Sequence, residues 1–588
     1  MLVPAHCGGL GRGDKIKMKK PILLLILSLV LSSLQAQFIP HHVSYNRVYD
    51  LLDELAADGF IEINTTVKPF SRAFIAEQLK SVVGNESLNK RQKEEVLFFI
   101  QEFAPEYRRL PEARFHIWKN DHSKAAIVPP AFHYADSNFT ARITPLLGLQ
   151  LSYNSKAANP LIDKRWFGAE FQTTIGKHLA VYGSLRDISV KGDTLTSYNY
   201  LNNLPGYEYK EAAYGGDFSD SRGGIVLSDS WGAIGLVKDN PVWGDSYQSA
   251  NILSGRTPSF PMITLKLQPV KWFELNYFHG WLISNVADST NFYTDNTDKI
   301  YYRPANKFMA ANMFTFTPVP KLKVSFGNSI IYAERNIQAG YLIPIAFYKS
   351  IDHLLTKGTG TENQNSQVYF NVSSRNIKHL HLFASVLFDE VSFSRFLPDN
   401  KEQNPMSLKI GGALSNFPLK NLTAVAEYTY TNIITYKHSF NTLTYTSNSY
   451  NLGHYLGDNS AEMYLALLYK PIRGLDLKLS FTDARKGNDF EYVRRAGNVN
   501  VIRQIISQPV LDNIVWHSTA LNFNAQYEVF NNVFCNFGAA YSNIRAYDST
   551  SAIVFETEKT ASDYLRRFTN PYLHGKNLVI SAGVNFGF

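Results

Sequence analysis

Alternation of apolar and polar residues is the dominant pattern of this chain. Leu475, Leu477, Leu479 and Phe481 interleave with Asp476, Lys478, Ser480 and Thr482. Leu521, Phe523, Ala525, Tyr527 and Val529 do the same with Asn522, Asn524, Gln526 and Glu528, as do Leu322, Val324 and Phe326 with Lys323, Ser325 and Gly327. A period of two is that of a strand with one apolar and one polar face. The C-terminal run NLVISAGVNFGF repeats it, with Leu578, Ile580, Ala582, Val584, Phe586 and Phe588 on one face and only Val579 out of pattern.

The strands are joined repeatedly by short proline-bearing turns, at Pro269-Val270-Lys271, Pro318-Val319-Pro320-Lys321, Pro418-Leu419-Lys420-Asn421 and Pro471-Ile472-Arg473-Gly474. Proline cannot donate to a ladder, so it belongs at such corners. Between these turns lie long polar segments, at 191–222, 285–303, 355–366, 397–406, 438–459, 484–515 and 543–573. Short turns at one end and long loops at the other are the asymmetry of bacterial outer-membrane barrels. After residue 36 no stretch reaches the ~20 apolar residues of a membrane helix, so a chain that crosses lipid must close as a barrel. From residue 137 onward, at roughly 25 residues per strand with its loop, about 16 to 18 antiparallel strands are expected, and eighteen is preferred. A soluble β-sandwich is the weaker reading, because the pattern recurs along the whole chain.

Residues 38 to about 120 follow another period. Val48, Leu51, Leu52 and Leu55 have helical spacing, and Gly59 is placed to end that helix in a left-handed conformation. Ser71 can cap a second helix from Arg72 to Val82, and Val96, Phe99, Ile100 and Phe103 stripe a third. The expected organisation is a helical domain over 37–125, on the periplasmic side, followed by an outer-membrane barrel over 126–588. The segment YDLLDELAADGFIEINTTVKPFSRAFIAEQL resembles a surface-layer homology repeat, a glycan-binding helical module; a plain helical cap on the barrel is the favoured reading.

Lys17, Lys19 and Lys20 precede the apolar run from Ile22 to Leu31, which ends in SSLQAQ. This is the layout of a secretory signal peptide over residues 1–36, with Met18 an alternative start. No Cys follows the cleavage site closely enough for a lipoprotein, and processing leaves Cys535 alone, so no intramolecular disulfide is expected. The formal charge of +8 would fall to about +4 on processing, too mild a balance to indicate nucleic acid. An aromatic content of 14% fits the girdles of a membrane barrel.

The mature chain carries no G-x-S-x-G, H-E-x-x-H, P-loop or C-x-x-C, so no catalytic, cofactor or metal residues are assigned. His379 and His381 share one face of a strand but lack a third ligand nearby and read as lumen-facing polar residues. Asp389 and Glu390, adjacent on a strand end, point to opposite faces and are unsuited to act as a pair. The stretch DNPVWGDSYQSANILSGRTPSFP, 239–261, is rich in Gly, Ser and Pro but has no phosphate-loop spacing. Strands flank it on both sides, which places it at the barrel rim.

The run DNPVWG…LSGRTPSFPMITLKL resembles the capsule assembly proteins of the Wzi family. Two more blocks are similar to that family in the same order, FMAANMFTFTPVPKLKVSFGNSIIYAERNIQAGYLIPIAFY at 308–348 and NSQVYFNVSSRNIKHLHLFASVLFDE at 365–390. The resemblance implies an eighteen-stranded barrel behind a helical domain, acting without catalysis as a lectin that holds capsular polysaccharide on the outer membrane. Aromatic faces suit sugar C–H surfaces, and planar donors suit hydroxyl or acidic groups. Trp243, Tyr247, Arg256 and Arg335 are therefore the candidate polysaccharide contacts, each weighed against a packing or ion-pair role. The remaining expected partners are outer-membrane lipid and the barrel-assembly machinery, the latter through the terminal strand ending at Phe588. The rivals are a porin-like channel, a docking component of a secretion or motility apparatus, and a barrel hydrolase.

Overall fold

Eighteen antiparallel strands close into one ring, as the period-two segments require. The computed structural model describes residues 38–107, 115–119, 123–212, 214–357, 364–488, 499–550 and 560–587; the expected signal peptide and Phe588 lie outside them. The ring strands are β1 Phe139–Asn154, β2 Leu161–Ile175, β3 Leu179–Lys191, β4 Gly215–Asp229, β5 Gly232–Asp239 and β6 Phe260–Val270. Next come β7 Phe273–Leu282, β8 Lys307–Val319, β9 Leu322–Tyr332, β10 Gln364–Ser374, β11 Leu380–Phe388 and β12 Met406–Ser415. The last six are β13 Leu422–Thr431, β14 Ser460–Tyr469, β15 Leu475–Gly487, β16 Ile514–Phe530, β17 Val533–Ala546 and β18 Gly575–Phe586. Sequence neighbours pair throughout, and β18 closes on β1 from Val579 opposite Asn154 to Phe586 opposite Leu147.

The apolar face of each strand points outward. Leu479, Leu521, Phe523, Leu578, Ile580, Val584 and Phe586 are exposed, while Asp476, Ser480, Asn577 and Asn585 are buried inside. A closed ring with an apolar exterior satisfies its backbone internally and can span lipid, and the protein is an integral outer-membrane barrel. Short turns join β2–β3, β4–β5, β6–β7, β8–β9, β10–β11, β12–β13, β14–β15 and β16–β17 at one end. The long connections emerge at the other. Phe115–Lys119, Ser123–Val128 and Ala131–Asp136 precede the ring as antiparallel strands paired in series, and the last of them pairs with the start of β1, from Phe132 opposite Ile143 to Ala135 opposite Thr140.

Three helices occupy the short-turn mouth: α1 Asn46–Ala57, α2 Arg72–Val82 and α3 Lys90–Glu102. Their apolar stripes meet in one core containing Val48, Leu52, Leu55, Ile75, Leu79, Val96 and Phe99. Gly59 follows α1 at φ +86°, the Ser71 hydroxyl accepts from Phe74 N at 3.1 Å, and Asn89 with Gln92 forms a capping box on α3. Charged residues dock the helices onto the barrel. Arg47 is paired with Glu95 at 2.8 Å, with Asp476 of β15 at 3.0 Å and with Glu528 of β16. Glu54 meets Arg91 and, at 3.6 Å, Lys470; Asp53 receives Arg375 at 2.8 Å. All of these but Asp53 are nearly inaccessible to water, so removal of a shared partner such as Arg47 leaves buried charge uncompensated, at a cost of about 3–5 kcal/mol.

A ring of this size is too wide for wall side chains alone to fill. Backbone fills it. The β5–β6 connection does not run along the rim as expected from its flanking strands. It enters the lumen, where Val242–Trp243 pairs with Leu253–Ser254 on one side and with Val67–Lys68, from the α1–α2 linker, on the other. Polar side chains carry it across to the far wall. Asp245 accepts from Thr65 and from Asn371 Nδ2 at 2.7 Å, and Asn251 Nδ2 donates to Ser407 O at 2.9 Å.

Candidate functional site

Above this filled lumen, the long loops surround a cavity of about 570 Å³. Its floor is built by the β13–β14 loop, 432–459, lying on the inward-folded 240–259 segment. Tyr436 OH donates to Asn251 O at 2.7 Å, Tyr445 OH donates to Ile252 O at 3.1 Å, and Ser254 N donates to Leu452 O at 2.8 Å. The loop's own shape comes from a two-residue hairpin: Ser447 pairs with Tyr450 across Asn448 and Ser449, both at positive φ. Asn tolerates that region, which a turn of this twist demands.

Four aromatic residues line the cavity, Tyr198, Tyr436, Tyr455 and Phe568, the last from α6 (Ala561–Phe568), with α5 being Val499–Ile506 and α4 Tyr348–Thr356. Among the described residues five cations join them, Arg256, Lys307, Lys437, Lys486 and Arg567, against one carboxylate, Asp458. Several of the cations are held by carbonyl oxygens. Arg256 donates from Nε to Leu204 O at 3.1 Å and from Nη2 to Tyr200 O at 3.0 Å, and its guanidinium lies 5.1 Å from the Tyr450 ring centroid. Lys307 Nζ donates to Thr444 O at 2.7 Å, and Lys486 Nζ donates to Leu456 O at 3.1 Å and Asp458 O at 2.7 Å. Carbonyl partners fix a cation in place without neutralising it. Burial lowers Arg256 to about 10, so it stays charged at neutral pH. Burial pushes the Asp458 carboxyl above its ordinary value although Lys437 and Lys486 pull the other way.

Such a wall can stack a sugar ring on Tyr198, which is 53% exposed while Tyr436, Tyr455 and Phe568 are buried, bond hydroxyls through Asn199, Asn285, Asn441 and Asn451, and pair acidic groups with fixed cations. Of the four residues singled out in the sequence, only Arg256 lines the cavity. Trp243 is 3% exposed, deep in the lumen, edge-on to Phe278 at 5.2 Å and Tyr369 at 6.1 Å. Tyr247 is half-buried, with its hydroxyl 2.8 Å from His381 Nδ1 and its backbone N donating to Glu427. Arg335 is exposed on the β9–β10 loop. His379 does not share a strand face with His381. It sits in a turn at φ +69°, 2.7 Å from Asp58, while His381 lies second in β11 and points inward to Ser373 Oγ at 2.9 Å. Among the described residues no group of three His, Cys, Asp or Glu is arranged to hold a metal.

The cavity residues missed in the sequence lie in the long polar loops. A usable signal was present there: TYKHSF at 435–440 and YLRRF at 564–568 set aromatic residues beside cations.

Residues 219–552 match the family described as capsule assembly protein Wzi. No curated protein matches the chain. By fold it is similar to Wzi of Escherichia coli, described as an outer membrane protein involved in group 1 capsule assembly and a carbohydrate-binding β-barrel. That likeness has a TM-score of 0.53 at 11% identity, over 94% of this chain and 100% of the other. The Pseudomonas aeruginosa barrels OccK5 (OpdH) and OprD align at a TM-score of 0.39, with 11% and 10% identity, over 76% of this chain and 97% and 94% of theirs. The family match runs from β4 to the loop before β18, more than half of the sequence, and the chain therefore belongs to the capsule assembly protein Wzi family.

Proposed function

We propose that the protein is a non-enzymatic, lectin-like component of the outer membrane that attaches or assembles capsular or other surface polysaccharide at its long-loop mouth. The observation that carries this reading is the cavity of tyrosines and carbonyl-fixed cations, set over a filled lumen in a chain of this family. Five cations against one carboxylate among the described lining residues favour a glycan bearing acidic groups. In this reading the long loops are extracellular, the helices α1–α3 face the periplasm, and the terminal strand is what the barrel-assembly machinery engages. A channel role is disfavoured by the helices at one mouth and the loop across the lumen.

Deletion of the gene in a capsulated strain tests the role: cell-attached polysaccharide should fall and shed polysaccharide should rise. Unchanged amounts of both would sink the proposal. Replacement with the double variant Arg256→Gln, Lys437→Gln should reproduce the shedding while the barrel still reaches the membrane.

A further inference from the structure

The outward face of the barrel is interrupted at one place. On β7, β8 and β9 the outward positions near the long-loop end are Tyr277, Ala310, Ile330 and Tyr332, and each is at most 4% exposed. Lower on the same wall Phe326 is 42% exposed, as a lipid-facing residue should be. What covers the upper patch is the β9–β10 loop. It turns back over the outside of the wall, burying Tyr341 and Tyr348 of the loop and of α4 against Tyr277, Phe308, Ala310, Ile330 and Tyr332.

Two polar residues that point out of the barrel hold this segment. Asn312 of β8 and Asn328 of β9 are paired partners in the ladder, and both are buried. Asn312 Nδ2 donates to Pro344 O at 3.0 Å and Ala346 O at 2.9 Å. Asn328 Oδ1 accepts from Tyr348 N at 2.9 Å, and Tyr277 OH donates to Tyr341 O at 3.0 Å. Asn312 lies five residues below the top of β8, roughly 16 Å along the strand at ~3.3 Å per residue. That depth falls within the ~25 Å apolar band of such a barrel. Irregular backbone survives at that depth only if its polar groups are satisfied by protein, and these asparagines do so. The surface the segment turns away from the wall is mainly apolar, with Leu342, Ile343, Ile345, Phe347, Leu354 and Leu355 between 41% and 76% exposed and Ser350 and His353 its exposed polar residues.

We infer that residues 338–356 form a flap on the outer wall, immersed in the outer leaflet, whose apolar side is covered by lipid acyl chains. The surface is continuous with the lipid-facing face of β9, which argues for acyl chains as its occupant. The flap thus replaces a polar window of the wall with an apolar one and is a lipid contact outside the strands.

The full chain with Cys7→Ser and Cys535→Ser, carrying Ile345→Cys or Leu354→Cys and an environment-sensitive fluorophore, tests this in phosphatidylcholine vesicles containing doxyl-acyl phospholipid. Quenching by the doxyl lipid should match that of a label at Phe326→Cys and exceed several-fold that of a label at Ser289→Cys, which lies on an exposed long-loop hairpin. Strong quenching by aqueous iodide with none by doxyl lipid would place the segment in water and overturn the inference. Protection from both quenchers would mean that protein, for instance a second copy, covers it, and would also overturn it. In a chain with Asn312→Leu and Asn328→Leu, iodide access at 345 should rise while heat-modifiable migration of the barrel is unchanged.

Discussion

Trp243 and Val67 are partners in one short antiparallel sheet inside the barrel, although one arrives from the long-loop end and the other from the helices at the short-turn end. The two plugs are therefore one body. Truncating Trp243 to Ala removes a fully buried indole from contact with Phe278 and Tyr369, a loss of about 3–5 kcal/mol. The temperature at which the folded band converts to the unfolded band on an electrophoretic gel should drop clearly. An unchanged transition would show that the lumen sheet adds nothing to stability.

The same sheet governs permeation. Intact protein in planar bilayers should pass no large, stable current, because helices and loop close the ring together. Replacing residues 244–252 by a short Gly-Ser linker cuts the hydrogen bonds of Asp245 and Asn251 to the far wall, and current should rise measurably. Large stable conductance from the unaltered chain would contradict both this expectation and the lectin reading.

Arg47 is the hinge of plug attachment, since it meets Glu95 of its own domain and both Asp476 and Glu528 of the barrel. Arg47→Met leaves three carboxylates in a dry site without their shared cation. Destabilisation of about 3–5 kcal/mol follows, and limited proteolysis should cut the helical segment far faster than in the parent. Cleavage rates equal to the parent's would rule out this role for Arg47.

What the sequence made legible depended on periodicity. Strands such as 475–482 and the run from Asn577, Val579 apart, alternate because one face meets lipid and the other the lumen, so their existence and orientation were readable. The helices at 46–57 and 72–82 were readable from spacing, Ser71 and Gly59. The path of residues 240–259 was not, because its partners Thr65, Asn371 and Ser407 lie far away in the chain and no local pattern encodes which side of the rim a loop will take. Trp243 and Tyr247 therefore drew attention as aromatic residues in a glycine-rich loop and proved to sit in the lumen filling. The cavity lining escaped notice because it is assembled from single residues of four or more loops.

Acid should loosen the plug. Burial alone would raise Glu54, but Lys470 and Arg91 more than offset it and hold its carboxyl below the ordinary value of 4.5; Glu102 is likewise held down by Arg142 and Arg72 against its burial. A carboxyl whose folded value is depressed contributes stability above its unfolded value and loses it as pH falls through the folded one. Susceptibility of the helical segment to an acid-active protease should therefore climb as pH drops below about 4.5. Glu54→Gln should flatten part of that rise, and a pH-independent cleavage rate in the parent would exclude the ion pairs as the cause.

Binding at the mouth should depend on salt, and the dependence separates charge recognition from sugar stacking. Arg256 is held by carbonyl oxygens and forms no ion pair among the described residues, so its charge is available to an acidic ligand. Loss of a hydrogen bond to a charged group costs about 1.5–3 kcal/mol, equivalent to roughly 10- to 100-fold in affinity. Arg256→Gln should weaken binding of an acidic capsule fragment by about that factor while leaving a carboxyl-reduced fragment nearly unaffected. Raising NaCl should reproduce the same selectivity, because the partly open cavity is screened by ions. Equal weakening for acidic and carboxyl-reduced fragments would assign Arg256 to loop architecture, through Leu204 and Tyr200, and leave recognition to the tyrosines.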